Sequence, residues 1–374
     1  MGRRRRGRLT SAAAVLLGLA GIGLIAACGT SATTANGAVG AQVAVASGTP
    51  DVSISEDGST LLEPLIGSWA TAYKQSTGNT VNTAGGGSTK GIDDASSGKI
   101  DIGASDAYLS SGDVLQNPNL LNIPLAISAQ SVIYNVPNVP ASDHIQLSGS
   151  ALADIYNGSI TMWNDPRIEV TNGGIHLPAI PIVPLHRSSG SGDTFIFTSY
   201  LSTQDANWNE TVGYGTQVSW PPVASAQAVP DSTHMYEVCG ATPGCIGYNG
   251  VSYLAPALAM HLGEAALENG GGHYTIPAPA AIQAEVNEFI AITPANETIA
   301  MIAGPGGDGY PIVNYEYAIV NIHQKDAATA KAIRDFLNWV VTTGNGPSYL
   351  GQYNFARLPS DIQTLSQQQI ARIQ

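Results

Sequence analysis

Residues 186–195 have the sequence His-Arg-Ser-Ser-Gly-Ser-Gly-Asp-Thr-Phe. Arg187 supplies a fixed positive charge, and the Gly/Ser loop after it leads into an apolar segment that predicts a helix. The first turn of a helix carries unpaired backbone N–H groups and a partial positive charge. Serine hydroxyls add further donors at the same place. The stretch therefore predicts a site for a small oxyanion at a helix N-terminus.

Three other loops repeat parts of this pattern. Residues 58–61 (Gly-Ser-Thr-Leu) precede a predicted amphipathic helix, although simple helix capping also explains them. Residues 85–91 (Gly-Gly-Gly-Ser-Thr-Lys-Gly) follow a predicted strand, and either a close backbone approach to a ligand or a flexible turn fits their glycines. Their spacing does not match the phosphate loop of nucleotide-binding proteins. Residues 103–107 place Asp106 just after a strand-like run, at the end of a strand where α/β proteins bind ligands. The alternative is that Asp106 is only a turn or helix-cap residue.

Asp106 indicates which oxyanion the site would accept. A carboxylate offers only acceptors, so it tolerates an oxyanion only if that anion still carries a proton. Phosphate carries one at neutral pH, and sulfate does not. Asp193 is either a second acceptor of this kind or the N-cap of the helix that follows.

Composition limits the classes of partner. The chain has 374 residues, enough for two domains, and only 11% of them are charged. Its formal net charge is −13, and it becomes −18 once residues 1–27 are removed, because that segment holds five of the 15 basic residues and none of the 28 acidic ones. Such an acidic protein repels nucleic acid and anionic lipid.

The N-terminus predicts export and lipidation. Five arginines between residues 3 and 8 precede an uncharged, mostly apolar stretch that ends in Ile25-Ala26-Ala27-Cys28. This ending resembles the lipobox of bacterial lipoproteins, so we expect a signal peptide over 1–27 and a lipid on Cys28. Ordinary secretion with a free Cys28 is the alternative, and the twin-arginine export motif is incomplete. Residues 28–50 lack periodicity and predict a flexible tether to the outer face of the membrane.

The other two cysteines, Cys239 and Cys245, are separated by five residues. In an exported protein this spacing favours a disulfide that closes a small loop. The alternative is half of a zinc site, which is disfavoured because no second cysteine pair exists and the histidines are scattered. We therefore expect no metal and no cofactor.

Strand-like and helical runs alternate along the rest of the chain, which predicts an α/β fold. Two β-rich runs, 125–135 and 311–322, are interpreted as crossings between two lobes. The first lobe is then discontinuous and consists of 51–125 and 312–374. The second lobe is 126–311.

Together these stretches resemble the phosphate-binding proteins of high-affinity phosphate ABC transporters, especially the lipoprotein forms of high-GC Gram-positive bacteria. The motifs that carry the resemblance lie in the expected order: 58–61, 102–109, 154–158 with 162–164, 189–195 and 309–317. The resemblance implies the two-lobe type II fold of periplasmic binding proteins, with a mixed sheet flanked by helices in each lobe and a two-strand hinge. It also implies a monomeric, non-enzymatic receptor that binds inorganic phosphate between its lobes and delivers it to a membrane permease.

The resemblance assigns nine phosphate-binding residues, with Leu61 acting through its backbone N–H: Ser59, Thr60, Leu61, Ser88, Asp106, Arg187, Ser191, Gly192 and Asp193. Many relatives have an aspartate at the position of Ser189, where it pairs with the arginine. Since Ser189 is uncharged, we expect Arg187 to be less neutralised and less rigid here.

Other functions stay open at this point. A secreted phosphatase or related hydrolase would need a metal cluster or an activated nucleophile. The Gly-x-Ser-x-Gly motif is absent, and His186 is expected to point to the opposite face of its strand from Arg187. A surface interaction protein, or the same fold with sulfate or molybdate as its ligand, are the further alternatives.

Overall fold

Two long neighbouring strands form the centre of the main sheet in the computed structural model, which describes residues 52–374. The predicted signal peptide (1–27), the lipidation site Cys28 and the tether (28–50) lie outside the described residues. The first central strand, Leu120–Tyr134, is buried at every residue, and the second, Ile312–Asn321, at every residue but its last. Strands buried at successive positions have both faces covered by other elements.

In chain order the strands are β1 (Ile54–Gly58), β2 (Val81–Asn82), β3 (Ile102–Ser105), β4 (Leu120–Tyr134), β5 (Gln146–Leu147), β6 (Val183–Arg187), β7 (Gln227–Val229), β8 (Cys245–Gly250), β9 (Gly263–Glu264), β10 (Ala266–Glu268), β11 (Tyr274–Thr275), β12 (Met301–Ile302) and β13 (Ile312–Asn321).

The helices alternate with these strands: α1 (Glu63–Thr77), α2 (Ser88–Ser96), α3 (Ser111–Gln116), α4 (Gly149–Asn157), α5 (Pro166–Glu169), α6 (Gly192–Gln204), α7 (Ala206–Thr211), α8 (Ser232–Ala241), α9 (Leu254–Ala259), α10 (Pro279–Phe289), α11 (Ala327–Trp339), α12 (Pro347–Leu350) and α13 (Ser360–Ile370). The predicted α/β class is therefore confirmed.

The main sheet has the strand order β2-β1-β3-β13-β4-β8-β6-β7, with β12 added to β13 and β9 to β4. The strands β1, β2 and β3 are parallel to one another, and β6 is parallel to β7 and β8. Between these two groups, β4 pairs antiparallel with β13 over Leu120–Ala129 and with β8 over Gln130–Tyr134. The strand β4 thus passes from one parallel group to the other. A small sheet of β11, β10 and β5 lies apart from this order.

Both predicted β-rich runs are strands, since 125–135 overlaps β4 and 311–322 contains β13. The lobe boundaries at 125 and 312 stay a prediction, because the described residues all belong to one compact unit.

The helix α1 follows from the spacing of its apolar residues. Leu65, Ile66, Trp69 and Tyr73 recur at helical intervals and are buried. The helix begins at Glu63, two residues later than the apolar pattern alone predicts. A proline in the first turn suits this start, because the first N–H groups of a helix have no partner within the helix. The loop before α1 is itself buried and belongs to the site described below.

The helix α6 is buried on all sides over its first ten residues, Gly192 to Leu201. A helix that is apolar around its circumference lies in the interior of a protein. Its N-terminus follows directly on the loop after β6, so the loop ends inside the molecule. Elsewhere a disulfide joins Cys239, near the end of α8, to Cys245, the first residue of β8.

Candidate functional site

Four segments, far apart in the chain, meet beside the central strands. They are the loop before α1, the start of α2, the turn after β3, and the loop from the end of β6 into α6. The nine residues assigned by sequence are all buried in the described structure, with exposed fractions between 0% and 5% for the eight that have side chains: Ser59, Thr60, Leu61, Ser88, Asp106, Arg187, Ser191, Gly192 and Asp193.

Asp106 lies where two of these segments converge. Its Oδ1 accepts a hydrogen bond from the Ser59 hydroxyl, and its Oδ2 lies 3.3 Å from the Ser88 hydroxyl, which donates to it. The Ser59 Oγ also accepts from the N–H of Leu62 at 3.0 Å, in the turn that precedes α1. Leu62 is the N-cap of α1 and no side chain caps the helix, so the capping alternative does not explain Ser59. Burial raises the pKa of Asp106, while donated hydrogen bonds and the charge of Arg187 oppose that rise.

The first turn of α6 lies directly against Asp106. A Cβ atom built on Gly192 would come within 2.3 Å of the Asp106 Oδ2 atom, a distance that no real side chain tolerates. Glycine is therefore required at this position by close approach rather than by backbone conformation. The N-terminus of α6 and the carboxylate of Asp106 consequently face the same spot.

Arg187 is fixed by several partners. Its Nη1 lies 2.9 Å from Asp193 Oδ2, and both side chains are at most 2% exposed. Its Nε and Nη2 donate to the carbonyl oxygen of Pro230 at 3.2 Å and 3.0 Å. Its Nη1 also reaches the Thr60 hydroxyl at 3.3 Å, which joins the β6 segment to the loop before α1.

The expectation that Arg187 is less neutralised and less rigid is wrong. The uncharged Ser189 leaves no carboxylate beside the arginine at that position, but Asp193 provides one six residues later. Ser189 instead donates to the Pro230 carbonyl oxygen at 2.8 Å, the same oxygen that holds the guanidinium. Arg187 is therefore neutralised by Asp193 in this protein.

Asp193 acts in this pair and not as a helix cap. The N-cap position of α6 is Ser191, and Asp193 is the second residue of the helix. Gln130 of β4 donates to Asp193 Oδ1 at 3.0 Å, and Ser232 donates to Oδ2 at 3.0 Å. Burial, and then the charge of Asp106, raise the pKa of Asp193 to about 6, and Arg187 opposes the rise.

The glycine-rich loop before α2 packs against the loop before α6. Gly87, the N-cap of α2, has a positive φ of 91°, and a Cβ built on it would come within 2.7 Å of the Gly190 carbonyl oxygen. The flexible-turn alternative for residues 85–91 is therefore not needed. These glycines allow two backbones to touch across the site.

Sequence reasoning missed two side chains of the site, Ser232 and Gln130, and one buried acid beside it, Glu316. Ser232 opens α8 after the N-cap Asp231, and its hydroxyl lies 2.8 Å from that of Thr60. The Asp-Ser-Thr sequence at 231–233 is a helix-start signal that could have identified it. Gln130 and Glu316 come from β4 and β13, which are buried at nearly every position, so no alternation of polar and apolar residues marks which side chains face the site.

The hydrolase alternative finds no support in the contacts of His186. Its ring stacks on Trp220 with ring centroids 4.9 Å apart, and its Nδ1 lies 3.1 Å from the carbonyl oxygen of Arg187. A nucleophile needs a base within hydrogen-bond reach of its hydroxyl. His186 has a structural role in the packing around β6.

Two further observations concern metals and membranes. Among residues 52–374, no three His, Cys, Asp or Glu side chains come together in a way that could hold a metal ion. None of the helices in the same part of the chain has the length and hydropathy that crossing a bilayer requires.

Comparison with known proteins gives a consistent picture. Residues 43–343 match the PBP superfamily domain. The phosphate-binding protein PstS of Xylella fastidiosa is 32% identical over 315 residues, which are 84% of this chain and 84% of that protein. The phosphate-binding protein PstS of Methanocaldococcus jannaschii is 33% identical over 333 residues and covers 83% of each chain.

The fold also has solved counterparts. A high-affinity periplasmic phosphate-binding protein, PfluDING, solved with bound phosphate, superimposes with a TM-score of 0.65 at 22% sequence identity. The match covers 84% of this chain and 92% of that one. The two-lobe type II fold expected from the sequence is confirmed by this likeness. With residues 43–343 matched and two PstS proteins above 30% identity over most of their length, the chain belongs to the PBP superfamily and, within it, to the PstS family.

Proposed function

We propose that this chain is a receptor that binds inorganic phosphate and passes it to the membrane permease of an ABC transporter. The observation that carries the proposal is a buried guanidinium, Arg187, paired with the buried carboxylate of Asp193, with a second buried carboxylate, Asp106, against the same first turn of α6. Hydroxyls from four segments surround these charges, among them Ser59, Ser88 and Ser232. The PstS relatives carry the name of phosphate-binding proteins, which supports the same ligand.

The chemistry of the site fits a protonated tetrahedral anion. Arg187 offers a planar pair of N–H donors to two oxygens, and the starts of α1, α2 and α6 offer hydroxyls and backbone N–H groups. Asp106 accepts the proton that the anion keeps. Sulfate has no such proton, so its oxygens would face the carboxylate with no hydrogen between them. Leaving a buried charged contact unmatched in this way costs on the order of 1–3 kcal/mol.

Binding and release are proposed to follow the opening and closing of two lobes about β4 and β13. The proposal is supported by the contacts of Thr60, from the predicted first lobe, with Arg187 and Ser232, from the predicted second lobe. Phosphate between these segments would take up donors from both lobes at once and so favour the closed form. The closed form is then the one recognised by the permease.

The proposal also covers where the protein is located in the cell. Export by the signal peptide 1–27 and a lipid on Cys28 would hold the receptor at the outer face of the membrane, with 28–50 as its tether. The receptor is proposed to work as a monomer. No catalytic step is assigned to it, in keeping with relatives that are named for binding.

The experiment that tests the ligand is to purify the protein without added phosphate, denature it, and identify the anion that is released. The proposal expects close to one phosphate per chain. Release of sulfate or molybdate in its place would assign the fold to another oxyanion. A protein that releases no anion and gains no thermal stability when phosphate is added would instead be an interaction module.

A further inference from the structure

Glu316 is a buried acid beside the site that has no role in the function proposed above. It lies on β13, whose neighbours are β3 and β4, and its exposed fraction is 0%. The pairing register of β13 with β4 shifts between Glu316 and Tyr317. Tyr317 pairs with Ser105, the last residue of β3, and Asp106 is the next residue in the chain. The topology thus brings Glu316 next to Asp106.

The two oxygens of the Glu316 carboxyl group have different surroundings. Its Oε1 accepts a hydrogen bond from the Ser128 hydroxyl at 2.5 Å. Its Oε2 is buried and meets no N–H or hydroxyl donor. Asp106 follows Ser105, the strand partner of Tyr317, so its buried carboxyl group adjoins that of Glu316 inside the protein. Two ionised carboxylates hold only acceptors and repel each other, so this buried juxtaposition favours one shared proton.

The surroundings decide which of the two acids holds the proton. Asp106 accepts hydrogen bonds from Ser59 and Ser88, and the charge of Arg187 also favours its ionised form. Glu316 accepts one bond, from Ser128. Burial, and then the charge of Asp106, raise the pKa of Glu316 well above its ordinary value, and the charge of Asp193 acts in the same direction. The proton therefore belongs on Glu316.

We propose that Glu316 is a positioning residue that stays protonated and donates its Oε2–H to Asp106, so that Asp106 stays an ionised acceptor for the proton of the ligand. The proposal rests on the proposed function, since it explains how Asp106 keeps its role among three buried acids and one guanidinium. Without this donor, the pKa of Asp106 would be higher, so Asp106 would hold a proton up to a higher pH. It could then donate to sulfate, and the discrimination between the two anions would weaken.

The test uses Glu316→Gln, because a glutamine amide has the shape of a protonated glutamate and can still accept from Ser128 and donate to Asp106. We expect Glu316→Gln to bind phosphate at pH 7 with a Kd within about threefold of the unaltered protein. We also expect the same number of protons exchanged on binding, measured by calorimetry in buffers of different ionisation enthalpy. An ionised Glu316 predicts the opposite, because losing a negative charge beside the anion would tighten binding by about tenfold or more.

Glu264→Gln is the matched control. Glu264 is also buried and bonded to a serine hydroxyl, with Ser131 Oγ at 2.8 Å from its Oε1, but its pKa is not affected by Asp106. The control should leave both Kd and proton count unchanged. Tighter phosphate binding by about tenfold in Glu316→Gln, with no such change in Glu264→Gln, would show that Glu316 is ionised and would overturn the proposal.

A second measurement detects the proton on Glu316 directly and does not require any variant to bind phosphate. Infrared spectra of the phosphate-free protein at pH 7 contain the C=O band of any protonated carboxylic acid. When the spectrum of Glu316→Gln is subtracted from that of the unaltered protein, the difference spectrum should contain this C=O band and should lack the bands of a carboxylate. Carbon-13 spectra of the unaltered protein labelled at glutamate carboxyls give the same information if the variant does not fold. A carboxylate signal for Glu316 would refute the inference even if phosphate binds, whereas failure of phosphate to bind would refute the proposed function alone.

Discussion

In the proposed function, selection of the ligand depends on Asp106. It is buried with an exposed fraction of 1%, it receives hydrogen bonds from two hydroxyls, and the first turn of α6 lies against it. Acceptors inside an anion site are useful only if the anion brings a proton. The carboxylate that is proposed to accept from phosphate would therefore repel sulfate.

Replacing Asp106 by Asn should reverse part of this selection. The amide keeps the size of the side chain but can donate to an oxyanion, so we expect phosphate affinity to fall and sulfate affinity to rise. The combined change in the phosphate-to-sulfate ratio should be on the order of tenfold to a hundredfold. Competition titrations of both anions measure it, and Asp93→Asn on the exposed side of α2 is the matched control. An unchanged ratio in Asp106→Asn would remove Asp106 from the selecting role.

Asp193 makes stability depend on pH. Its pKa is about 6 in the folded protein against an ordinary value of 3.8, so between these values the folded state binds a proton that the unfolded state has released. Stability contributed by this group is therefore full below about pH 4 and is lost as the pH rises to about 6. The loss is on the order of 2–3 kcal/mol, since a tenfold change in a proton-binding constant corresponds to about 1.4 kcal/mol.

Asp193→Asn should have a flatter stability profile in this window. Urea unfolding of the phosphate-free protein at pH 4, 5 and 6 measures the slope in both proteins. Acids far from Asp193 contribute equally to both proteins, so the difference between the two slopes reports on Asp193 together with Asp106 and Glu316, with which its charge interacts. Equal slopes would mean that Asp193 has an ordinary pKa in the folded protein.

The sequence predicts some of these residues for clear physical reasons. An aspartate at the end of a strand and an arginine before a Gly/Ser loop are unusual enough to be noticed one at a time. The partner of Arg187 was not predictable, because Asp193 reaches it through one turn of α6 and not through the adjacent position Ser189. Glu316 stands within a recognised motif, but nothing in the sequence indicates that its strand neighbour is the turn that carries Asp106.

At the scale of elements, the start of α6 sets the geometry of the site. Its first residue, Gly192, has no room for a side chain beside Asp106. The helix N-terminus is therefore as close to the carboxylate as backbone atoms allow. Any larger residue must push α6 and the Asp106 turn apart.

Gly192→Ala should weaken phosphate binding by about fivefold to a hundredfold, because overpacking of this kind costs on the order of 1–3 kcal/mol. Gly67→Ala is the control, since Gly67 lies inside α1 with no atom within 4 Å of a built Cβ. The control should leave phosphate binding unchanged and raise stability by about 0.5–1 kcal/mol through helix propensity. Titration calorimetry and urea unfolding give both quantities. Tight binding by Gly192→Ala would contradict the close packing against Asp106.

The disulfide Cys239–Cys245 joins α8 to β8, and α8 begins with the site residue Ser232. Because the bridge closes a loop of only a few residues, we expect Cys239→Ser/Cys245→Ser to lose about 2 kcal/mol of stability. Phosphate affinity should change little, since Ser232 lies at the far end of α8 from the bridge. Urea unfolding and calorimetry test both statements. A large loss of affinity with little loss of stability would show that the bridge positions Ser232.

Elements with a periodic apolar face were predictable, and elements without one were not. The spacing of Leu65, Ile66 and Trp69 predicts α1. The helix begins two residues later than the pattern, where Pro64 lies in the first turn, and it continues four residues beyond Tyr73. Short strands such as β2, two residues long, are defined by their partner in the sheet rather than by their own residues.

At the scale of the whole molecule, β4 is the strand that connects the two parts of the main sheet. It pairs with β13 along its first part and with β8 along its last, so that it connects two groups of parallel strands. Site residues come from segments on both sides of this connection, including Thr60 on one side and Arg187 on the other. The order of the strands was not predictable, because pairing between residues nearly 200 positions apart leaves no local signal. The alternation of strands and helices, which is local, was predicted.

The measurement that tests selection of a protonated anion most directly is calorimetric titration of the phosphate-free protein with phosphate and with sulfate at pH 7 and equal ionic strength. The carboxylates of Asp106 and Asp193 beside Arg187 predict that phosphate binds at least about a hundredfold more tightly than sulfate. Equal affinities for the two anions, or tighter binding of sulfate, would contradict the role given to the buried carboxylates.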